Sequence, residues 1–267
     1  MSTTIEWTNE TWNPVTGCSK VSPGCDNCYM FALYPRLRGM SVPGYATRPD
    51  MVTLLPERLD QPFAWRTPRM VFVNSMSDVF HRDVPDKFIL DMMQTMRRSS
   101  QELGHTFQIL TKRPGRAVAW WNGHAQFFPD GWPQQIWLGT SVEAQKYAPR
   151  IDVLARVPAA VRFVSAEPLL GPLDLDMWLR PGLLSWLIVG GESGPRARPM
   201  SATWARDLRD QCMETNTPFF FKQWGTYDAD SHRMGKLRSG RRLDGHIWGQ
   251  FPLPKHSYPN LITVPGG

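Results

Sequence analysis

The sequence predicts an α/β protein built on a full or partial parallel (β/α) barrel, TIM-like in plan, and three observations carry that prediction. Short apolar runs rich in β-branched and aromatic residues alternate with helix-length segments along the chain. Polar or charged residues stand directly after almost every run. No proline- and serine-rich linker divides the chain, which therefore reads as one domain over residues 1–267, with an appendage from about residue 225.

Six runs are plain strands: residues 70–74, 107–110, 136–139, 162–164, 186–189 and 218–221. A seventh, residues 11–16, is interrupted by Pro14, which has no N–H to give a ladder. Helix candidates lie between them at about 27–38, 85–102, 114–122, 143–156 and 203–214, with Pro85-Asp86 and Ser201 to Thr203 as start signals. Strand and helix in alternation predict parallel units joined by right-handed crossovers. The polar strand ends are Asn74-Ser75-Met76-Ser77-Asp78, Thr111-Lys112-Arg113, Thr140-Ser141-Val142-Glu143, Ser165-Ala166-Glu167-Pro168, Gly190-Gly191-Glu192-Ser193 and Lys222-Gln223-Trp224. In a parallel barrel all of them converge on one mouth, where ligands bind. A doubly wound open sheet also gathers polar loops along one edge, so closure stays open at this stage.

With 267 residues and 42% apolar content, the chain can bury a substantial core. Its first residues lack the basic and apolar stretches of a secretory signal, and no segment reaches the ~18 apolar residues of a membrane helix. A cytoplasmic, non-membrane protein is the expectation, and a monomer is favoured. Net charge is +6, and Arg233, Lys236, Arg238, Arg241 and Arg242 crowd one segment with Ser and Gly between them. That segment is either a phosphate-binding surface for nucleic acid or a solvated loop. Most of the twelve tryptophans are expected to pack in the core or at its edges, and some to serve as stacking platforms for bases.

Three of the four cysteines lie within eleven residues, in Gly17-Cys18-Ser19-Lys20-Val21-Ser22-Pro23-Gly24-Cys25-Asp26-Asn27-Cys28-Tyr29. This C-x6-C-x2-C spacing lets Cys25 and Cys28 bite one ion or cluster, and Pro23-Gly24 supplies the turn that returns Cys18 to the pair. Three thiolates can hold three irons of a [4Fe-4S] cluster and leave the fourth open to a small molecule, whereas a closed structural zinc site wants four protein ligands. Cys212 stands apart at helical spacing, as a structural thiol does.

The opening Ile5-Glu6-Trp7-Thr8 and Thr11-Trp12-Asn13-Pro14-Val15-Thr16-Gly17-Cys18, the other two cysteines and Tyr29 resemble a phage- and bacteria-associated three-cysteine-motif family catalogued as a domain of unknown function. Asn74-Ser75-Met76-Ser77-Asp78-Val79-Phe80, Leu110-Thr111-Lys112-Arg113-Pro114, Ser165-Ala166-Glu167-Pro168-Leu169 and Phe221-Lys222-Gln223-Trp224-Gly225 extend the likeness through most of the chain. That family in turn looks like the radical S-adenosylmethionine (SAM) superfamily, where a cluster at the mouth of a partial β/α barrel binds SAM at its open iron. The common superfamily pattern has three residues between the first two cysteines, and here there are six, Ser22-Pro23-Gly24 among them.

The resemblance implies a [4Fe-4S] cluster on Cys18, Cys25 and Cys28, SAM as second cofactor, an external electron donor and hydrogen abstraction from a substrate. Ser75, Ser77 and Asp78 become candidates for the methionyl or ribose groups of SAM. Lys112 and Arg113 suit its carboxylate or a substrate phosphate, and Glu143, Glu167 and Glu192 suit amino or hydroxyl groups. Ser141 and Ser193 complete the candidate cofactor set. Each has a plainer reading, since Ser and Thr after strands also cap helices and Lys112-Arg113 can be an exposed loop. Tyr29 either shields the cluster or opens a helix. Glu167 sits extended before Pro168, and the Lys222 stem follows three phenylalanines with its charge free to reach the mouth. Of the histidines, His81 lies nearest a candidate site loop. With the basic segment, these features point to an enzyme acting on nucleic acid or a nucleotide-derived substrate, in lesion repair of the kind spore photoproduct lyase performs or in base modification. A zinc- or cluster-stabilised nucleic-acid-binding module without catalysis is the alternative, and a redox switch on Cys25 and Cys28 a weaker third.

Overall fold

The polar edge foreseen in the sequence belongs to a single curled sheet. The computed structural model describes residues 3–45 and 47–252. In chain order the first elements are β1 (Glu10–Trp12), β2 (Val15–Thr16), α1 (Tyr29–Gly39), β3 (Thr53–Leu54) and β4 (Met70–Val73). Then come α2 (Asp86–Leu103), β5 (Thr106–Thr111), α3 (Pro114–His124), β6 (Ile136–Ser141), α4 (Arg150–Leu154) and β7 (Arg162–Ala166). The last are α5 (Asp176–Leu179), β8 (Trp186–Gly190), α6 (Ala202–Glu214), β9 (Phe219–Gln223) and α7 (Lys236–Ser239).

Seven strands form one parallel sheet in the order β1-β4-β5-β6-β7-β8-β9, curled into a half-barrel. The order never reverses, so right-handed crossovers place the helices on one face and leave no switch point. That excludes the doubly wound alternative, and among the described residues the edges β1 and β9 do not meet, so the barrel is partial. Pro14 acts as expected: it splits the first run into β1, which pairs with β4, and β2, which turns away to pair with β3.

Alternation along each strand sends residues to two cores. Val71, Val73, Ile109 and Leu138 face the helix layer with Phe88, Met92 and Met96 of α2. Val164, Leu187, Val189 and Phe221 do the same with Trp178 of α5 and Leu208 of α6. The concave face is aromatic: Trp7, Phe72, Trp137, Phe163, Trp186 and Phe220 fill it. Trp7 closes the bottom, its ring centroid 4.6 Å from that of Phe72 and 6.2 Å from that of Trp186. Gly139 is small because the Phe163 ring lies on it, where a Cβ would come within 2.4 Å. None of the twelve tryptophans is exposed, in line with the expectation of core or edge packing for most of them.

Helix ends follow local chemistry. Ser201 accepts from the Thr203 amide at the start of α6, and Gly104 ends α2 in the left-handed conformation. The helix expected over 143–156 is shorter, because Val142 and Glu143 are not helical, Ala144 is extended and a 3-10 turn precedes α4.

Residues beyond β9 wrap back over the open edge. The Phe221 amide donates to the Trp248 carbonyl at 2.9 Å and Phe251 stacks on Trp186, which covers an otherwise bare strand. Asp244 ties this segment to α6 through Arg206 (2.8 Å) and Arg209 (2.5 Å), and those two partners hold its carboxyl down at about 2. A depressed carboxyl contributes stability that is present above the unfolded value of about 3.9 and lost as pH falls through about 2. Amide protection of residues 243–250 is therefore expected to drop between pH 4 and 2, and Asp244→Asn to remove that dependence; hydrogen exchange measures both.

Candidate metal centre at the mouth of the half-barrel

The cysteine loop leaves β2 through Gly17, whose φ is +81° and whose Cβ position would lie 2.0 Å from the Met51 carbonyl oxygen. Only glycine fits this crossing. The Cys18 amide donates to the Pro49 carbonyl (2.9 Å), and Pro23–Cys25 form the expected tight turn, a single 3-10 turn. Cys28 is the N-cap of α1, where the helix dipole favours a thiolate. All three thiols are free and half-buried, while Cys212 is buried in the helix-side core, which pushes its thiol up to about 12.

Three strand-end carboxylates hold this loop, each at a different point. Asp78, after β4, pairs with Arg113, after β5, at 2.8 Å; Arg113 in turn donates to the Ser19 carbonyl (2.8 Å) and hydroxyl (3.0 Å). Glu143, after β6, is 0% exposed and accepts from the Gly24 amide (3.3 Å) and from Arg150 (2.9 Å). Glu192, after β8, accepts from Asn27 (3.0 Å) and from Arg198 (2.7 Å), which itself donates to the Pro23 carbonyl at 2.8 Å. Burial opposes the Glu192 charge, but hydrogen bonds from Arg198 and Asn27 prevail and lower its pKa. Residues expected to bind cofactor thus brace the loop that carries the thiols.

The serines behave similarly. Ser77 donates to the Gly17 carbonyl (2.8 Å), Ser75 to Asn13 Oδ1 (3.1 Å), and Ser193 accepts from Gln223 (3.2 Å). Ser141 is buried and its carbonyl accepts from Arg150 (2.8 Å). Tyr29 donates its hydroxyl to the Ser75 carbonyl, so it links α1 to the end of β4 while its ring stays half exposed. Alternation places Lys112, Ser141, Glu167, Gly190 and Lys222 on the concave side, nearer the C-terminal strand ends than Trp137, Phe163 and Trp186 of the aromatic floor. There Lys222 Nζ pairs with Glu167 Oε1 at 2.5 Å. Gly190 lies under the Glu167 carboxyl, and a Cβ on Gly191 would meet the Trp224 carbonyl oxygen at 1.9 Å, so both glycines have packing reasons to be there.

The basic segment divides. Arg238 and Arg242 are exposed; Arg233, also exposed, donates to the Pro195 carbonyl (2.9 Å), and Lys236 pairs with Glu6 at 3.3 Å. Arg241 departs from the expected surface patch: it lies half-buried with its guanidinium 4.9 Å from the centroid of the Phe220 ring, drawn inward by that aromatic face.

Sequence reasoning missed Arg150, Arg198 and Asn27 as loop braces, together with Ser19, whose hydroxyl meets the ring of His81, the histidine nearest a candidate site loop, at 2.7 Å. Asn27 at least lies inside the cysteine motif. Each arginine pairs with a carboxylate in its own strand-end segment, Arg150 with Glu143 and Arg198 with Glu192, and only the folded sheet brings those pairs up to the cysteine loop.

The thiols test what the loop fits. Burial, followed by the nearby Asp78 charge, pushes Cys18 up to about 12, with Arg113 opposing; burial raises Cys28. Cys18 and Cys28 therefore hold protons that a bound metal would displace. Ser22 Oγ, inside the loop, is buried without a partner among the described residues. Ligands on one zinc ion sit about 3.8 Å apart for Zn–S bonds of about 2.3 Å. The three sulfurs do not all come within 4.8 Å: among the described residues the one such group is the surface turn of Asp228, Asp230 and His232. The three thiols thus stand wider than the ligands of one zinc ion, with Arg113 beside Cys18 and the Lys112 charge near Cys28, which leaves room for a group larger than a single ion.

Fold and site together define a class: a parallel half-barrel with a three-thiol loop braced over the C-terminal ends of its strands. Residues 2–252 match the model of a family described as protein of unknown function (DUF5131), and the chain belongs to that family. No match was found among curated proteins or solved structures. Among the described residues no helix is long and apolar enough to cross a membrane.

Proposed function

We propose that the protein is an iron-sulfur enzyme of the radical-SAM type, acting on nucleic acid or a nucleotide-derived substrate. The observation that carries this reading is the set of three free thiols on one loop, at the C-terminal mouth of a partial parallel barrel. Cys18, Cys25 and Cys28 would hold a [4Fe-4S] cluster, with one iron left for SAM. The chemistry such a pair supplies is one-electron cleavage of a carbon-sulfur bond and hydrogen abstraction by a 5′-deoxyadenosyl radical.

The chain's own residues do the rest. The aromatic floor of Trp7, Phe72, Phe163, Trp186 and Phe220 keeps water from the concave side of the mouth. Lys112, Glu167 and Lys222 offer charges of both signs there, suited to the carboxylate and amino groups of SAM or to a substrate phosphate. Arg233, Arg238 and Arg242 present an exposed cationic surface to a phosphate backbone, at reduced strength now that Arg241 faces inward. Lesion reversal such as that of a thymine photoproduct, and base modification, are both reactions this arrangement suits. The electron would come from an external donor.

Anaerobic reconstitution with iron and sulfide, followed by EPR of the dithionite-reduced protein with and without SAM, tests the reading. A reduced [4Fe-4S] signal that shifts on adding SAM is the expected result. Stoichiometric zinc with no iron signal would instead favour a metal-stabilised binding module.

A further inference from the structure

We propose that Arg113 is a positioning residue that raises the reduction potential of the cluster through Cys18, an inference that rests on the cluster reading above. Its guanidinium is 14% exposed and spans four acceptors at once. Nη1 donates to Asp78 Oδ2 at 2.8 Å and reaches Cys18 Sγ at 3.7 Å, while Nη2 donates to the Ser19 carbonyl at 2.8 Å and to its hydroxyl at 3.0 Å. Only a planar fork can make all four contacts, so lysine is not equivalent here.

Asp78 cannot swing away. It is 7% exposed and its carboxylate also accepts from Thr111 Oγ1 (2.7 Å), the Phe80 amide (3.0 Å) and the Lys112 amide (3.2 Å). His81 holds the far side of Ser19. The guanidinium is therefore fixed in orientation from the protein side, before anything binds. Among the described residues, Cys18 is the cysteine of the loop that receives a guanidinium contact.

An ion pair this buried is weak grounds for stability, since desolvation offsets most of its attraction. Its placement against one thiol gives it another use. Reduction adds one electron, and one negative charge, to a cluster whose thiolate ligand lies beside this cation. A fixed cation favours the more negative state, and N–H donors to ligand sulfur act in the same direction. The iron held by Cys18 would differ electronically from the other two.

Wild type, Arg113→Gln, Arg113→Lys and Arg116→Gln are reconstituted, iron and sulfide counted, thermal unfolding followed, and midpoint potentials taken from EPR-monitored reductive titration. Arg116 lies in the first turn of α3, three residues beyond Arg113, but pairs with Asp86 at 2.6 Å, away from the loop, and serves as the charge control. Expected for Arg113→Gln is a tenfold less favourable reduction, a fall of about 59 mV for one electron, with Arg113→Lys between and Arg116→Gln unmoved. A folded Arg113→Gln that takes up no iron also supports positioning, and Arg113→Lys then carries the potential measurement. A fully loaded Arg113→Gln at the wild-type potential, or an equal shift in Arg116→Gln, overturns the proposal alone. Wild type without iron overturns the cluster reading, and this proposal with it.

Discussion

Cys28→Ala is expected to take up less than a tenth of the iron that wild type binds, with its unfolding midpoint almost unchanged. The two effects separate because Cys28 does its local structural work through its backbone. Its carbonyl accepts from Phe31, and its side chain makes no capping hydrogen bond to α1. Under the cluster reading, the substitution removes a ligand and little else. With Cys18 and Cys25 alone, half of a cluster's four irons have no protein donor, and thiolate ligands supply most of the binding free energy of such sites. Cys212→Ala is the contrasting control. It opens a small cavity in the helix-side core at a cost of about 1 kcal/mol and leaves iron uptake intact, since that thiol is buried on the opposite face of the sheet. Iron and sulfide analysis on anaerobically reconstituted protein decides the matter, and a full iron complement in Cys28→Ala would sink the cluster assignment.

Glu143→Ala is expected to destabilise the fold by about 3–5 kcal/mol, the penalty for removing one partner of a buried ion pair. Arg150 would keep only the Ser141 carbonyl as acceptor, and the buried Gly24 amide would lose its bond to the carboxylate. An alanine also empties the space under Gly24, whose Cβ position lies 3.2 Å from Glu143 Oε1. The turn that returns Cys18 toward Cys25 and Cys28 rests on that carboxylate, so iron loading should fall although every cysteine is present. Glu143→Gln keeps an acceptor for Gly24 and Arg150 while losing the charge, and should recover much of the loading at part of the stability loss. Urea denaturation and exchange of the Gly24 amide measure the two effects separately. An unchanged Gly24 amide in Glu143→Ala would mean that the loop holds its own shape.

The six apolar runs were legible because burial on both faces of a parallel sheet demands continuous β-branched and aromatic sequence, and all six are strands. Pro14 was legible as a break for an equally local reason. Harder to read were the short elements. The β2-β3 ladder is two residues long, and α5 and α7 four residues each, too short for any periodicity to build up. Glu143 looked like a helix start because a polar residue followed a strand, yet no helix begins there and its carboxylate accepts from the Gly24 amide.

The site divides along the same line. Three thiols at C-x6-C-x2-C spacing are legible as a candidate metal loop whatever surrounds them, because the thiols are local in the chain. That Asp78, Glu143 and Glu192 would be polar groups at one mouth was also legible. Their partners were not: Glu143 meets Gly24 from 119 residues away, and Arg198 meets Pro23 from 175.

What the amino-acid order determined by itself is the parallel β/α rhythm, the polar strand ends and the three-thiol loop, since periodicity, proline and ligand spacing act within a few residues. Only the tertiary structure decided that the sheet curls without closing, that Arg241 turns inward, and that the strand-end carboxylates grip the loop. Those outcomes depend on which side chains the curl of the sheet brings within hydrogen-bond reach, and distance along the chain does not encode that.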